Sequence, residues 1–194
     1  MNDACVYDFE TLGQNPRSAP VVSLAVLNFS RDRFRINAYT YRELLDAVSV
    51  IKFNVEDQVM NHGKKIEPDT LRWWGKQSKA AQKQLAPTPW DQPISDLPSW
   101  FIENTQSPKA TYTRNNTFDP IFLDQLMKDV GSCLPYDWWT IRDTKSTIDG
   151  MAWGHDVQDN FIPDGLESHF VAHDPAHDVA MDVMRLQFLA RAIG

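Results

Sequence analysis

Cysteine is nearly missing from this 194-residue chain: Cys5 and Cys133 are its two examples. That is too few for a disulfide scaffold, and they lack the paired spacing of a zinc site, so a reducing compartment is expected. No stretch approaches the roughly 18 apolar residues of a membrane-spanning helix. The opening Met1-Asn2-Asp3-Ala4 lacks the basic-then-apolar order of a secretory signal, so no membrane partner is expected and cytoplasm is the expected location. Basic residues are outnumbered, 19 Lys and Arg against 26 Asp and Glu, for a net charge of −7. This balance argues against a passive nucleic-acid coat, which would carry a basic footprint. It does not exclude an enzyme acting on nucleic acid, because bound divalent cations invert the local sign of a carboxylate cluster. The phosphate-cradling loop of ATPases and the glycine fingerprint of dinucleotide binding are both missing, which argues against ATP hydrolysis and nucleotide redox chemistry.

Two acids stand out in the apolar run Cys5-Val6-Tyr7-Asp8-Phe9-Glu10. In a strand, residues two apart share a face and lie roughly 6 to 7 Å apart along the chain. Two carboxylates that close repel unless a proton or cation joins them, and charge among Val6, Tyr7 and Phe9 is costly to bury alone. Metal binding compensates for this. From the pair alone, a strand edge whose acids face water is an equal reading; the later elements decide between the two.

The length fits one domain over residues 1–194. Cys5 to Phe9 reads as a strand, Pro20 to Phe29 as a longer one, and the alternation from Phe34 to Tyr41 as a third, giving a meander. Short helical patterns cover Glu43 to Ser49 and Glu56 to Met60, and one helix is expected from Pro68 through Gln84. The proline-rich stretch from Pro87 to Pro98 reads as a shaped loop, with a lid as one use of it, and leads into Leu97 to Asn104. Lys109 to Thr113 is a strand candidate, Asp119 to Val130 an amphipathic helix, and Thr140 to Asp143 a short strand or turn. The last helix is expected from about Pro175 to Ile193, with Asp174 as its cap and Pro175 in its first turn.

Three motifs recur in the order of a known family. Asp8-Phe9-Glu10-Thr11 comes first, Asn115-Asn116-Thr117-Phe118-Asp119 second, and His173-Asp174-Pro175-Ala176-His177-Asp178 third. Together they resemble the ribonuclease H-like 3′-to-5′ exonucleases of the DEDD superfamily, in the branch whose last motif contains histidine. The ordered set covers most of the chain. Arg72-Trp73-Trp74 and Trp139-Thr140-Ile141-Arg142-Asp143 place the resemblance nearest the phage exonucleases related to the T4 exonuclease A and the bacterial exoribonuclease-like domains allied to them. A phage-encoded protein would work in the host cytoplasm.

The resemblance implies an α/β, ribonuclease H-like fold with a central mixed sheet of five or six strands flanked by helices. It implies a catalytic set of Asp8, Glu10, Asp119, His173 and Asp178, with the four acids holding two Mg²⁺ or Mn²⁺ ions, hard cations that prefer carboxylate oxygen. His173 is the expected proton acceptor, favoured over His177, which reads as a partly exposed first-turn residue. Asp182, one turn beyond Asp178, reads as solvent-exposed, with a group supporting the site as the alternative. Phe9 and Leu12 are expected to wedge against the terminal nucleotide, Trp73 and Phe118 to contact it, Arg72 and Arg142 to meet phosphates, and Asn61 and His62 to reach the last nucleotide.

The implied activity is metal-dependent removal of 5′-mononucleotides from the 3′ end of single-stranded DNA. An exoribonuclease or oligonucleotide-trimming enzyme is the first alternative, and an inactive nucleic-acid or protein-binding module on the same fold the second. The implied partner is a single-stranded DNA or RNA 3′ end. A homodimer is left open, and no obligate protein partner is inferred.

Overall fold

The computed structural model describes residues 2–106, 108–153 and 158–192. In chain order the elements are β1 (Ala4–Thr11), β2 (Val21–Phe29), α1 (Arg33–Ile36), α2 (Tyr41–Ala47), β3 (Ser49–Lys52), α3 (Val55–Asn61), α4 (Pro68–Trp74) and α5 (Lys79–Gln82). They continue with α6 (Leu97–Asn104), β4 (Ala110–Thr113), α7 (Asp119–Asp129), β5 (Ile141–Asp143), α8 (Thr144–Met151) and α9 (Pro175–Ala192).

The five strands form one mixed sheet in the order β3-β2-β1-β4-β5. β2 pairs antiparallel with both β1 and β3, while β4 runs parallel to β1 and to β5. The long β1 is the centre, and its alternation divides the core. Ala4 and Val6 join a cluster with Leu27, Val179, Val183 and Leu186 beneath α9. Tyr7 and Phe9, one residue out of phase, join Phe101, Phe122, Leu123 and Leu126 beneath α6 and α7. Period-two alternation in one strand thus covers both faces of the sheet with helices. Asp8 and Glu10 continue the Ala4 and Val6 face, so both acids point to the α9 side just where β1 runs out.

Three expectations need correction. Residues 34–41 are not a strand: α1 forms instead, and the third strand of the sheet is β3, at residues 49–52. Phe34 turns in to stack on Phe29, at 5.7 Å between ring centroids, whereas Ile36 is 88% exposed. A strand would have put those two side chains on one face. The single helix expected over residues 68–84 is two, α4 and α5, because Ser78 accepts a hydrogen bond from the Ala81 amide and starts a new helix after Gly75. Finally, α8 follows β5 directly and was not foreseen; Asp143 caps it by accepting from the Ser146 amide.

The proline-rich stretch is held along β3. The Gln92 amide donates to the Lys52 carbonyl and the Asn54 amide donates to the Gln92 carbonyl, both at 2.8 Å, while Ile94 and Leu97 are fully buried. Trp90 is left outside, 81% exposed.

Candidate active site

Three elements deliver the acids. Glu10 and Asp8 come from the end of β1, where the register against β2 shifts between Glu10 and Thr11. Opposite them on β2 stand small residues, Ala25 across from Asp8 and Ser23 across from Glu10, which leaves room in front of the carboxylates. Asp119 is the first residue of α7. β4 pairs with β1 only as far as Val6, so the Phe9 amide beyond it is available, and it donates to Asp119 Oδ1 at 3.0 Å. That bond ties α7 to β1. Asp178 lies in the first turn of α9 and accepts from the His173 amide through Oδ2 at 2.9 Å.

His173 is held in an unusual backbone. Its φ of 62° makes it the one non-glycine residue with positive φ among the described residues. Such a conformation costs about 1–3 kcal/mol and persists only where its surroundings impose it. Asp174, next in the chain, caps α9 by accepting from the Ala176 amide, as expected. The imidazole of His173 packs edge-on against the indole of Trp73, with centroids 4.6 Å apart.

The electrostatics are one-sided. Burial, and then the charges of Asp119, Glu10 and Asp178, push the Asp8 carboxyl well above the usual carboxylate range. Glu10, only 7% exposed, is raised by burial and then by Asp178 and Asp119. Burial lifts Asp119 and Asp178 to about 7 each, even though each accepts a backbone hydrogen bond that works in the other direction. Burial lowers the pKa of His173, which favours the neutral form of its ring. Carboxylates gathered this way stay ionised together only beside added positive charge.

Glu10, His173 and Asp178 each offer a ligand atom, and those atoms lie within 4.8 Å of one another. The hydroxyl of Ser23 is buried without a hydrogen-bond partner on the face that Glu10 shares. An oxygen-rich donor set with an orphaned polar neighbour fits a hard divalent cation.

A pH effect follows from these shifts. In the metal-free protein Asp119 and Asp178 keep protons to about 7, whereas in the unfolded chain they lose them near 3.8. The folded state therefore binds more protons across that window, and this cluster's contribution to stability is lost as pH rises from about 4 to about 7. Thermal midpoints measured in EDTA should show that decline. Added Mg²⁺ or Mn²⁺ should raise the midpoint more at pH 7.5 than at pH 5.

Asp182 corrects an expectation. It is 3% exposed and accepts from Arg114 Nη1 at 2.6 Å and from Arg185 Nη1 at 2.8 Å. Arg185 also donates to the Phe161 carbonyl, and Arg114 to the Asp159 carbonyl, so this cluster binds α9 to the end of β4 and to residues 159–161. The sequence signal was the Asp182-to-Arg185 spacing, one helical turn. Replacing Asp182 with Ala strands two guanidinium groups, and unfolding in urea should show a loss of about 3–5 kcal/mol.

A cleft of about 690 Å³ opens beside Glu10, lined by Phe9, Trp73, Asn115 and Phe118 among others. Of the substrate contacts read from the sequence, Phe9, Trp73 and Phe118 line it; Leu12, Asn61, His62, Arg72 and Arg142 do not. Leu12 is buried in a separate cluster with Val22 and Trp74. Asn61 donates to Asp57, and the His62 ring sits 3.7 Å from the same carboxylate. Arg72 pairs with Asp69 on its own helix, and Arg142 donates to the carbonyls of Trp139 and Ile141. Gln14, Glu67 and Thr70 line the cleft without having been foreseen. Their placement depends on α4, which is fixed by long-range bonds: the Trp74 indole donates to the Thr11 carbonyl at 3.0 Å, and the Glu67 amide to the Leu12 carbonyl at 2.8 Å. His177 is half-buried, with Nδ1 2.9 Å from the Tyr41 hydroxyl.

Comparison with protein families matches residues 3–183 to the 3′-5′ exoribonuclease Rv2179c-like domain. The chain belongs to that family. A curated relative, the exodeoxyribonuclease of Enterobacteria phage T4, is 29% identical over 206 residues, covering 96% of this chain and 88% of that protein. Among solved structures, E. coli exonuclease I in complex with a 5cy-dA13 oligonucleotide superposes with a TM-score of 0.65 at 13% identity, over 98% of this chain and 41% of that one. The same enzyme with a dT13 oligonucleotide gives 0.59 at 14% identity, over 100% of this chain and 41% of that one. The Rv2179c-like chain thus spans about two fifths of the length of those structures. At such identities the likeness shows the fold, an α/β exonuclease-like architecture with a five-stranded mixed sheet. No helix among the described residues is long and apolar enough to cross a membrane.

Proposed function

We propose that this domain is a metal-dependent 3′-to-5′ exonuclease that hydrolyses single-stranded DNA to 5′-mononucleotides, with Asp8, Glu10, Asp119, His173 and Asp178 as its catalytic residues. The observation that carries the reading is the convergence of four carboxylates and a histidine from β1, α7 and the start of α9, beside a cleft with aromatic walls that Glu10 lines. Asp8, Glu10, Asp119 and Asp178 would hold two Mg²⁺ or Mn²⁺ ions. Such a pair supplies Lewis-acid stabilisation to both the attacking and the leaving oxygen of an in-line displacement.

The protein's own groups do the rest. The cleft receives the terminal nucleotide, with Phe9, Phe118 and Trp73 offering apolar and stacking surface to base and sugar. Water attacks the phosphorus of that nucleotide, and His173 takes the proton on a ring nitrogen. The bond from phosphorus to the 3′ oxygen of the preceding nucleotide breaks, that oxygen takes a proton from solvent to become a 3′-hydroxyl, and a shortened strand and a 5′-mononucleotide are left. Asp178 fixes the loop that carries the base by accepting the His173 amide.

DNA is favoured by the phage T4 exodeoxyribonuclease, whose similarity runs over 96% of the chain. The family description, an exoribonuclease domain, favours RNA as the second reading. Matched 5′-labelled single-stranded DNA and RNA, incubated with Mg²⁺ or Mn²⁺ and with EDTA, test both. The expected result is metal-dependent shortening from the 3′ end, faster on DNA. Faster shortening of RNA would reverse the order of the two readings. Both strands surviving in every metal would leave a binding module on this fold.

A further inference from the structure

The His173 loop is braced from outside the catalytic set. Two side chains of the 68–85 region reach it. Trp73, the penultimate residue of α4, lies edge-on to the imidazole of His173 at 4.6 Å, with an interplanar angle of 74°. Gln84, in a 3₁₀ turn just after α5, donates through Nε2 to Asp174 Oδ2 at 2.8 Å. The region they come from is itself anchored to the end of β1 by the Trp74 indole on the Thr11 carbonyl and the Glu67 amide on the Leu12 carbonyl. Gln82 stiffens the link between the two helices, donating to the carbonyls of Trp74, Gly75 and Gln77. A rigid strut therefore runs from β1, which carries Asp8 and Glu10, to the loop that carries His173.

We propose that Trp73 and Gln84 are positioning residues that hold the His173 loop at the carboxylate cluster, Trp73 through the ring and Gln84 through Asp174. The proposal rests on the exonuclease reading for its kinetic consequence and on geometry alone for its structural one. The left-handed backbone of His173 needs such support, because an unrestrained loop relaxes out of that conformation. The two residues divide the labour. Trp73 is 41% exposed and lines the cleft, so it touches both the nucleotide site and the proton acceptor. Gln84 does not line the cleft, so its influence passes only through the loop. A nucleotide that packs on the Trp73 indole presses on the surface that steadies His173, which couples correct seating of the 3′ end to assembly of the base.

Two readouts test this in Q84A, Q84E and W73A, with W73F as the conservative variant. In the metal-free protein, the imidazole NMR signal of His173, assigned by its loss in H173A, should carry the ring-current displacement of the adjacent indole. W73A should abolish that displacement, Q84A should reduce it, and W73F should keep part of it. In turnover of single-stranded DNA with Mg²⁺ or Mn²⁺, Q84A should lower kcat roughly tenfold at unchanged KM, as expected for a reacting group misplaced by a fraction of an ångström. Q84E keeps the side-chain length but sets a carboxylate against Asp174, and should lower kcat further. W73A should change both kcat and KM, with W73F recovering most of kcat.

A His173 signal and a kcat unmoved by Q84A and Q84E would overturn the proposal. So would a rise in KM at constant kcat, which would make Gln84 a substrate contact. A wild-type protein that shortens neither DNA nor RNA would remove the exonuclease reading instead, and the NMR comparison would still decide whether Trp73 and Gln84 hold the loop.

Discussion

Asp8→Asn should slow shortening of single-stranded DNA roughly 10³-fold while making the metal-free protein more resistant to heat. The two effects have one cause. Asp8 is forced up in pKa by burial and by Asp119, Glu10 and Asp178, so as an anion it is held in place against repulsion. An amide of the same shape removes that repulsion and, on the proposed mechanism, a metal ligand with it. Lewis-acid stabilisation is worth several kcal/mol, and losing about 4 kcal/mol of it slows turnover roughly 10³-fold. A relief of roughly 1 kcal/mol raises the thermal midpoint of a chain this size by about 2–4 °C. The gain should shrink on acidification, since a protonated Asp8 repels no more than Asn does. Calorimetry in EDTA at pH 7.5 and pH 4.5, beside the turnover assay, tests the account. A variant that is less stable at both pH values would mean the carboxylate is a structural acceptor.

The second large effect is expected of His173→Ala. General base catalysis contributes about 10²–10⁴-fold, so kcat should fall by that range. The acids are untouched, so the variant should still be stabilised by Mn²⁺. A ligand at about 100 times its dissociation constant adds roughly 2.7 kcal/mol, and most of that gain should survive. The proximity of His173 to Glu10 and Asp178, within 4.8 Å, makes the metal titration the discriminating half of the experiment. Loss of the thermal gain together with kcat would assign His173 to metal binding rather than proton transfer.

Much of this is legible in the sequence alone. The alternation of β1 puts Asp8 and Glu10 on one face because its period is two, and that survives any error in the rest of the sheet. Asp119-Pro120 and Asp174-Pro175 announce helix starts by the chemistry of their first turns, which is local. What could not be read depends on distant partners. Arg72 and Trp73 are adjacent in sequence, yet only the tryptophan faces the cleft, because the roll of α4 is fixed by Trp74 bonding to the end of β1. Asp182 looked solvated because nothing near it in sequence announces Arg114, which is 68 residues away and closes over it. Phe34 to Tyr41 alternated like a strand, but the aromatic stack of Phe34 on Phe29 favoured a helical turn.

The dispersal of the acids also bears on how the protein is made. Asp178 leaves the ribosome 170 positions after Asp8, on a helix that must then pack across β1 and β2. At synthesis rates of 5–20 residues per second, roughly 10 to 30 s separate the two. Throughout that interval the nascent chain has β1 and its neighbours but no His173 loop and no fourth carboxylate. On the proposed mechanism the hydrolytic centre is complete only after α9 docks, so an unfinished polypeptide would not cut the nucleic acids around it.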